Sequence, residues 1–204
     1  MTKVSVIIPC YNSGNTLLRT VKSVEVQTFK DIEIIVVNDG STDSSTLDIL
    51  NKISKEIKVI NQENKGLSAA RNRGIKDAKG EYILPLDSDD YLLPIFIERA
   101  LEEFNNNDTN CVYTNIFMFG EREGVLDRNY NYFVQLFNNQ LPYCLFFKKI
   151  IWEKLEGYDE TMKLGYEDWE FNIRMGKHGY HPKKIAEALF YYNVSSEGML
   201  KSQS

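Results

Sequence analysis

The sequence predicts an α/β fold in which helices cover both faces of a central, mainly parallel sheet. Three observations predict it. Short apolar runs alternate with amphipathic stretches in the order β-α-β-α-β-α-β up to Leu86. The first runs are continuously apolar and rich in β-branched residues, the pattern of strands buried on both faces. The chain has 204 residues, 43% hydrophobic and 26% charged, which suits one soluble domain with a substantial core.

The first strand is Val4–Pro9 (VSVIIP). Turn chemistry follows through Asn15, and Ser13 or Asn15 is placed to cap a helix marked by Leu17, Leu18, Val21 and Val24. Ile32–Val37 is a second buried strand, ending in the turn Asn38-Asp39-Gly40. Leu47, Ile49, Leu50 and Ile53 mark the second helix, and Ile57–Ile60 a short edge strand. Asn64-Lys65-Gly66 turns into a helix over Leu67–Lys79. The strand beginning at Tyr82 then runs into three acids, Asp87, Asp89 and Asp90. Beyond them, helices are expected near Ile97–Phe104, over Lys148–Leu155 and over Tyr166–Lys177. Strands are expected over Cys111–Phe119 and Ala188–Val194, and no structure is assigned throughout 121–141.

Bulk properties exclude several classes. The net charge of −5 and pI near 5.2 argue against a nucleic-acid partner. Cys10, Cys111 and Cys144 are odd in number and widely spaced, which fits neither a disulfide framework nor a CxxC metal site and points to a reducing compartment. The N-terminus runs directly into a strand, without a signal peptide. No apolar stretch approaches the roughly 20 residues that a membrane-spanning helix needs.

Topology then concentrates the chemistry. In parallel α/β sheets ligands bind beyond the carboxyl ends of the strands. The Tyr11-Asn12 turn, the Asp39 turn and the Asp87 cluster each follow a strand, so all three fall on one rim. Three clustered carboxylates repel one another unless a cation sits among them. Mg²⁺ is a suitable cation, being held by one or two carboxylates plus substrate phosphates. Each feature also has a plainer reading. Asp39 is either a turn former or an acceptor for a base N–H. Asp87-Ser88-Asp89-Asp90 is a solvated loop, a helix N-terminal acid cluster before Pro94, or a cation site. Asp168, at a helix start, is either a cap or a general base. Lys65, Arg71 and Arg73 are either solvated or within reach of a diphosphate. His178 and His181 read as surface residues, and Trp169 and the other aromatics as core rather than as a sugar platform. No GxGxxG follows the first strand, against a dehydrogenase-type dinucleotide fold.

Five stretches in order, VSVIIPCYN, IEIIVVNDGSTD, NKGLSAARNRGI, GEYILPLDSDD and GYDETMKLGYEDWEFNIRM, make the chain resemble the family 2 glycosyltransferases of the GT-A fold. The resemblance covers nearly the whole chain and implies a single catalytic domain over 1–204. Its nucleotide-sugar half would be 1–104 and its acceptor half 105–204, with room for a C-terminal truncation. It implies an inverting, metal-dependent transferase of polysaccharide or glycoconjugate synthesis, with a nucleotide-sugar donor (UDP-linked) and a saccharide or lipid-linked saccharide acceptor. Asp39 would contact the uracil; Pro9, Tyr11 and Asn12 would line the base and ribose. Lys65, Arg71 and Ser88 would lie by the nucleotide, and Asp87 would contact the ribose. Asp89 would hold Mg²⁺ or Mn²⁺ in a DxD motif, and Asp168 would be the catalytic base. The resemblance implies a cytoplasmic setting, with peripheral association at the inner membrane face, and admits a homo-oligomer. Ser195 stands where many relatives carry a His that adds a metal or phosphate contact. Two other readings compete: a catalytically weak, nucleotide-binding relative, and a sugar nucleotidyltransferase, whose Gly-rich loop after the first strand PCYNSGNT lacks.

Overall fold

A computed structural model describes residues 3–105, 108–163 and 165–195. In chain order its first half comprises strand β1 (Val4–Cys10), helix α1 (Gly14–Glu25), β2 (Ile32–Asp39), α2 (Ser44–Ile53), β3 (Lys58–Gln62), α3 (Leu67–Lys76), β4 (Tyr82–Pro85), β5 (Tyr91–Leu92) and α4 (Phe96–Glu103). The second half comprises β6 (Cys111–Gly120), β7 (Gly124–Leu126), α5 (Tyr132–Gln135), β8 (Phe146–Lys148), α6 (Lys149–Lys154), α7 (Glu167–Lys177) and β9 (Lys183–Val194).

The strands form one sheet in the order β3-β2-β1-β4-β8-β6-β9-β5, with β7 paired to β6. β3, β2, β1 and β4 are parallel, as is the long β6–β9 pair, and β8 joins these two blocks through antiparallel contacts. The mainly parallel α/β architecture expected from the sequence is thus present.

The period-2 alternation of the strands builds two cores. Val4, Val6 and Ile8 of β1 point into a cluster with Leu17, Val21, Leu50, Phe96 and Ile97, so α1, α2 and α4 cover one face. Ile7, Ile35, Val37 and Ile83 point the other way, onto Ala70, Ile75, Ile151, Phe171 and Met175 of α3, α6 and α7. Each such fully buried aliphatic side chain contributes roughly 1.5–3 kcal/mol, and packing on both faces explains why the early strands read as continuous apolar runs.

Several expected boundaries move. α3 stops at Lys76 instead of Lys79, because the Lys79 and Gly80 N–H groups are taken by the Glu33 carboxylate and the Ser5 hydroxyl rather than by helix carbonyls. The last strand begins at Lys183, not Ala188; its outer end is paired to Val112–Thr114, and the register shifts near Asn115. The stretch 121–141 contains β7 and the single-turn α5. The three cysteines are buried and free. Among the described residues, no helix is long and apolar enough to cross a membrane.

Candidate active site

The parallel register sets Cys10 beside Asn38 and Ile7 beside Pro85, so the loops after β1, β2 and β4 leave the sheet on one rim. Hydrogen bonds then tie these loops together. Asn12 takes a left-handed conformation (φ 50), which its short polar side chain tolerates. Its N–H donates to Ser41 Oγ at 3.1 Å, and its Oδ1 accepts from Thr42 N at 2.8 Å. Ser13 is the N-cap residue of α1 but makes no side-chain cap bond; its hydroxyl meets that of Ser88 at 2.7 Å instead. Pro9 is buried on the sheet, while Tyr11 is exposed at the rim.

Asp39 is buried, and its carboxylate is engaged from three directions. Oδ1 accepts from Gln62 Nε2 and Lys65 N, and Oδ2 from Gly66 N, all at 2.8 Å. Asp39 therefore has a structural task, fixing the entry to α3; Oδ1 is saturated by two hydrogen bonds, and Oδ2, with one, keeps a lone pair for a ligand. The Lys65 side chain is exposed, and its carbonyl accepts from Lys163 Nζ.

The DSDD stretch alternates. Ser88 and Asp90 are buried, whereas Asp87 and Asp89 are partly exposed, so the i, i+2 pair faces outward. Asp90 is an anchor: its oxygens accept from the Tyr143 hydroxyl and from Asn193 N, the latter at 2.7 Å. Tyr143 Oη also accepts from Asp87 N at 2.9 Å. Burial, with Asp89 and Asp87 adding, pushes the Asp90 carboxyl well above the usual range. Burial likewise raises Asp89, whose Oδ2 accepts from Asn193 Nδ2 at 3.3 Å. The Asp87 carboxyl is pushed up to about 6 by burial, against the opposing charge of Arg71.

Arg71 is not solvated; it is 1% exposed. Nη2 donates to Asp87 Oδ1 at 2.8 Å and Nη1 to Glu167 Oε1, with the Tyr143 and Tyr158 rings 5.0 and 5.7 Å from the guanidinium. Arg73 remains exposed, beside Asp77. Glu167 opens α7 after Tyr166, itself held at φ 66. The next residue, Asp168, accepts from Asn139 Nδ2 at 3.2 Å. Its carboxyl is raised by burial and then by the Glu167 charge.

Tyr192 of β9 connects the two sides. Its hydroxyl is pushed up to about 12 by burial and by the carboxylates of Asp90, Asp87, Asp89 and Asp168, so the DSDD acids and Asp168 act on one side chain. Sequence reasoning did not single out Glu167, Tyr143, Asn139, Tyr192 or Asn193 as site residues. The signal for Glu167 was its place beside Asp168, and for Tyr192 and Asn193 their place beside Ser195; nothing in the sequence marked Tyr143 or Asn139. His178 and His181 are exposed, as expected, and lie against Arg174 O and Tyr130 Oη.

The profile for glycosyl transferase family 2 matches residues 5–169. The chain is 36% identical over 172 residues to glycosyltransferase GlyG of Streptococcus pneumoniae serotype 4, covering 83% of this chain and 52% of that protein. It is 31% identical over 210 residues to glycosyltransferase GlyA of the same organism, covering 95% of this chain and 30% of that protein. Among solved structures, S. aureus TarS 1-349 in complex with UDP is similar with a TM-score of 0.78 at 25% identity, over 96% of this chain and 61% of that one. The chain thus spans about half or less of the length of these curated relatives.

Proposed function

The chain belongs to glycosyl transferase family 2 and has its GT-A fold, and from that we propose that it moves a sugar from a UDP-linked donor to an acceptor hydroxyl, with inversion at the anomeric carbon. The observation that carries this reading is the buried Arg71 bridge. One guanidinium joins Asp87, on the rim of the strand ends, to Glu167, the neighbour of Asp168. A donor-side carboxylate and the residue next to the base candidate are thereby held to the same rigid group. The complex of TarS with UDP supports UDP as the nucleotide.

In this reading Asp39, Pro9, Tyr11 and Asn12 receive the base and ribose, with Lys65 and Ser88 beside the nucleotide and Asp87 at the ribose. Arg71 acts through Asp87 and Glu167 rather than as a free diphosphate ligand. Asp168 takes the proton of the acceptor hydroxyl; the oxygen attacks C1 from the face opposite the diphosphate, the C1–O bond to the diphosphate breaks, and UDP leaves. Burial and the Glu167 charge make Asp168 a stronger base than a solvated carboxylate.

The residues present fit a divalent cation of the Mg²⁺ or Mn²⁺ kind. Among the described residues no group of three or more His, Cys, Asp or Glu converges as a metal cage, but a cation on a diphosphate needs only one or two carboxylates. Asp89 is the outward acid that would hold the ion: its hydrogen bond to Asn193 uses Oδ2, leaving Oδ1, while Asp87, bonded to Arg71 through Oδ1, stays at the ribose. When bound, the cation supplies Lewis-acid stabilisation of charge on the departing diphosphate. The acceptor is read as a saccharide or lipid-linked saccharide.

The test is Asp168→Asn. Removing a positioned general base is expected to lower transfer by about 10²–10⁴-fold, measured as UDP release with a UDP-sugar panel. The thermal shift produced by UDP should be unchanged. Transfer at the wild-type rate would overturn the assignment.

A further inference from the structure

We propose that the segment from Asn129 to Gln140 is the acceptor subsite, and that it receives a neutral oligosaccharide stacked on Phe133 and Phe137. The inference rests on the transferase reading above and adds the place and chemistry of the second substrate.

The segment is a built structure. Gln135 is fully buried inside it; its Oε1 accepts from Gln140 N at 2.8 Å, and its Nε2 donates to Asn139 Oδ1 at 3.0 Å. Asn131 closes the loop, donating its N–H to Gln140 Oε1 at 2.9 Å and accepting from Val134 N at 3.2 Å. The loop is also pinned along α7. Tyr132 packs so tightly on Gly176 that a Cβ there would come within 2.3 Å of its ring. Trp169 Nε1 donates to Gln135 O at 2.6 Å, and Asn139 reaches Asp168. From Tyr132 to Asn139 the chain therefore runs down the helix toward the proposed base.

Within this fixed loop, Phe133 and Phe137 are each 71% exposed, with their rings 5.4 Å apart. The expectation that the aromatics belong to the core fails for these two. Scattered exposed apolar residues are normal, but a paired patch held in place marks a contact surface. Phe137 is two residues along the chain from Asn139, whose amide donates to Asp168, the proposed base.

Charge selects the occupant. From Asn129 to Phe147 the sequence has no Asp, Glu, Lys, Arg or His, and the two cations that touch the loop among the described residues are already engaged: Arg128 donates to Asn139 O at 2.7 Å, and Lys184 pairs with Asp127 and donates to Asn129 Oδ1. A surface that lies on anionic lipid interleaves its apolar residues with Lys and Arg, and one that takes a charged glycan needs counter-charges. Here the polar residues around the patch are amides, among them Asn131, Asn138 and Gln140. An amide offers a donor and an acceptor side by side, which matches adjacent sugar hydroxyls, and an aromatic face offers rigid apolar area to the C–H face of a sugar ring.

The experiment probes an array of neutral and anionic oligosaccharides with wild-type protein and with the surface variant Phe133→Ser/Phe137→Ser, in the presence of UDP. Wild-type protein is expected to retain neutral glycans, and the variant to bind them about tenfold or more weakly, with an unchanged UDP thermal shift. Retention of anionic glycans alone, retention of none, or equal binding by the variant would overturn the proposal. So would a variant that keeps glycan binding but loses self-association in sedimentation or binding to neutral lipid vesicles, since the patch would then be a protein or lipid surface. Wild-type protein that shows no UDP shift would sink the transferase reading itself, and this inference with it.

Discussion

At Asp168 two effects act in the same direction. Withdrawal from water disfavours the carboxylate, and the adjacent Glu167 charge disfavours it further. A general base works only when deprotonated, so kcat/KM should fall as pH drops through this raised pKa. The acid limb should therefore lie above the ordinary aspartate value of about 3.9. Glu167→Gln removes the neighbouring negative charge while keeping an oxygen for Arg71, whose positive field then acts on Asp168 less opposed. Both changes favour the carboxylate, so the limb should move to lower pH. A pH–rate profile that stays put, or moves to higher pH, would show that Asp168 is not the group being titrated. The sequence showed two acids at a helix start but could not rank cap against base. That ranking depends on Arg71 and Asn139, which arrive from distant parts of the chain.

Among the elements, β1 to β4 and α1 to α3 were legible because their signals are local: apolar runs of strand length, turn residues, and helical spacing. The ends of β9 and the short β7, β8 and α5 were not, since their pairing comes from partners far away in sequence and their own patterns are short. Gly74 of α3 shows how an element-level signal can mislead. Propensity alone says that Gly→Ala inside a helix stabilises by roughly 1 kcal/mol. Packing says otherwise: a Cβ on Gly74 would lie 2.4 Å from Ile7 Cγ2 and 3.1 Å from Val37 Cγ2, both on core strands. Overpacking of this kind costs about 1–3 kcal/mol, more than the propensity gain. Gly74→Ala should therefore lower the urea midpoint at unchanged m-value; a midpoint at or above wild type would show that α3 rides loosely on the sheet.

Over the whole molecule, the rim was legible from topology, because parallel strands deliver their following loops to one edge. The link between the two halves was not. Arg71 and Glu167 are 96 residues apart, and Arg71 looked like one more helical cation. In the fold it heads the fully buried side chains by volume among the described residues, with carboxylates on either side. Arg71→Met keeps the length and apolar stem but leaves Asp87 and Glu167 facing each other without the cation between them. Breaking a buried charge cluster by removing one member costs about 3–5 kcal/mol. The neighbouring exposed Arg73→Met should stay within about 0.5 kcal/mol. Adding Glu167→Gln to Arg71→Met removes one of the two stranded charges, so the double variant should recover part of the loss, with a coupling of about 0.5–3 kcal/mol. Urea unfolding of wild type, Arg71→Met, Glu167→Gln and the double variant closes the cycle. Additive losses would mean that Arg71 and Glu167 do not share the buried bridge, and the coupling between the two halves of the site would have to be sought elsewhere.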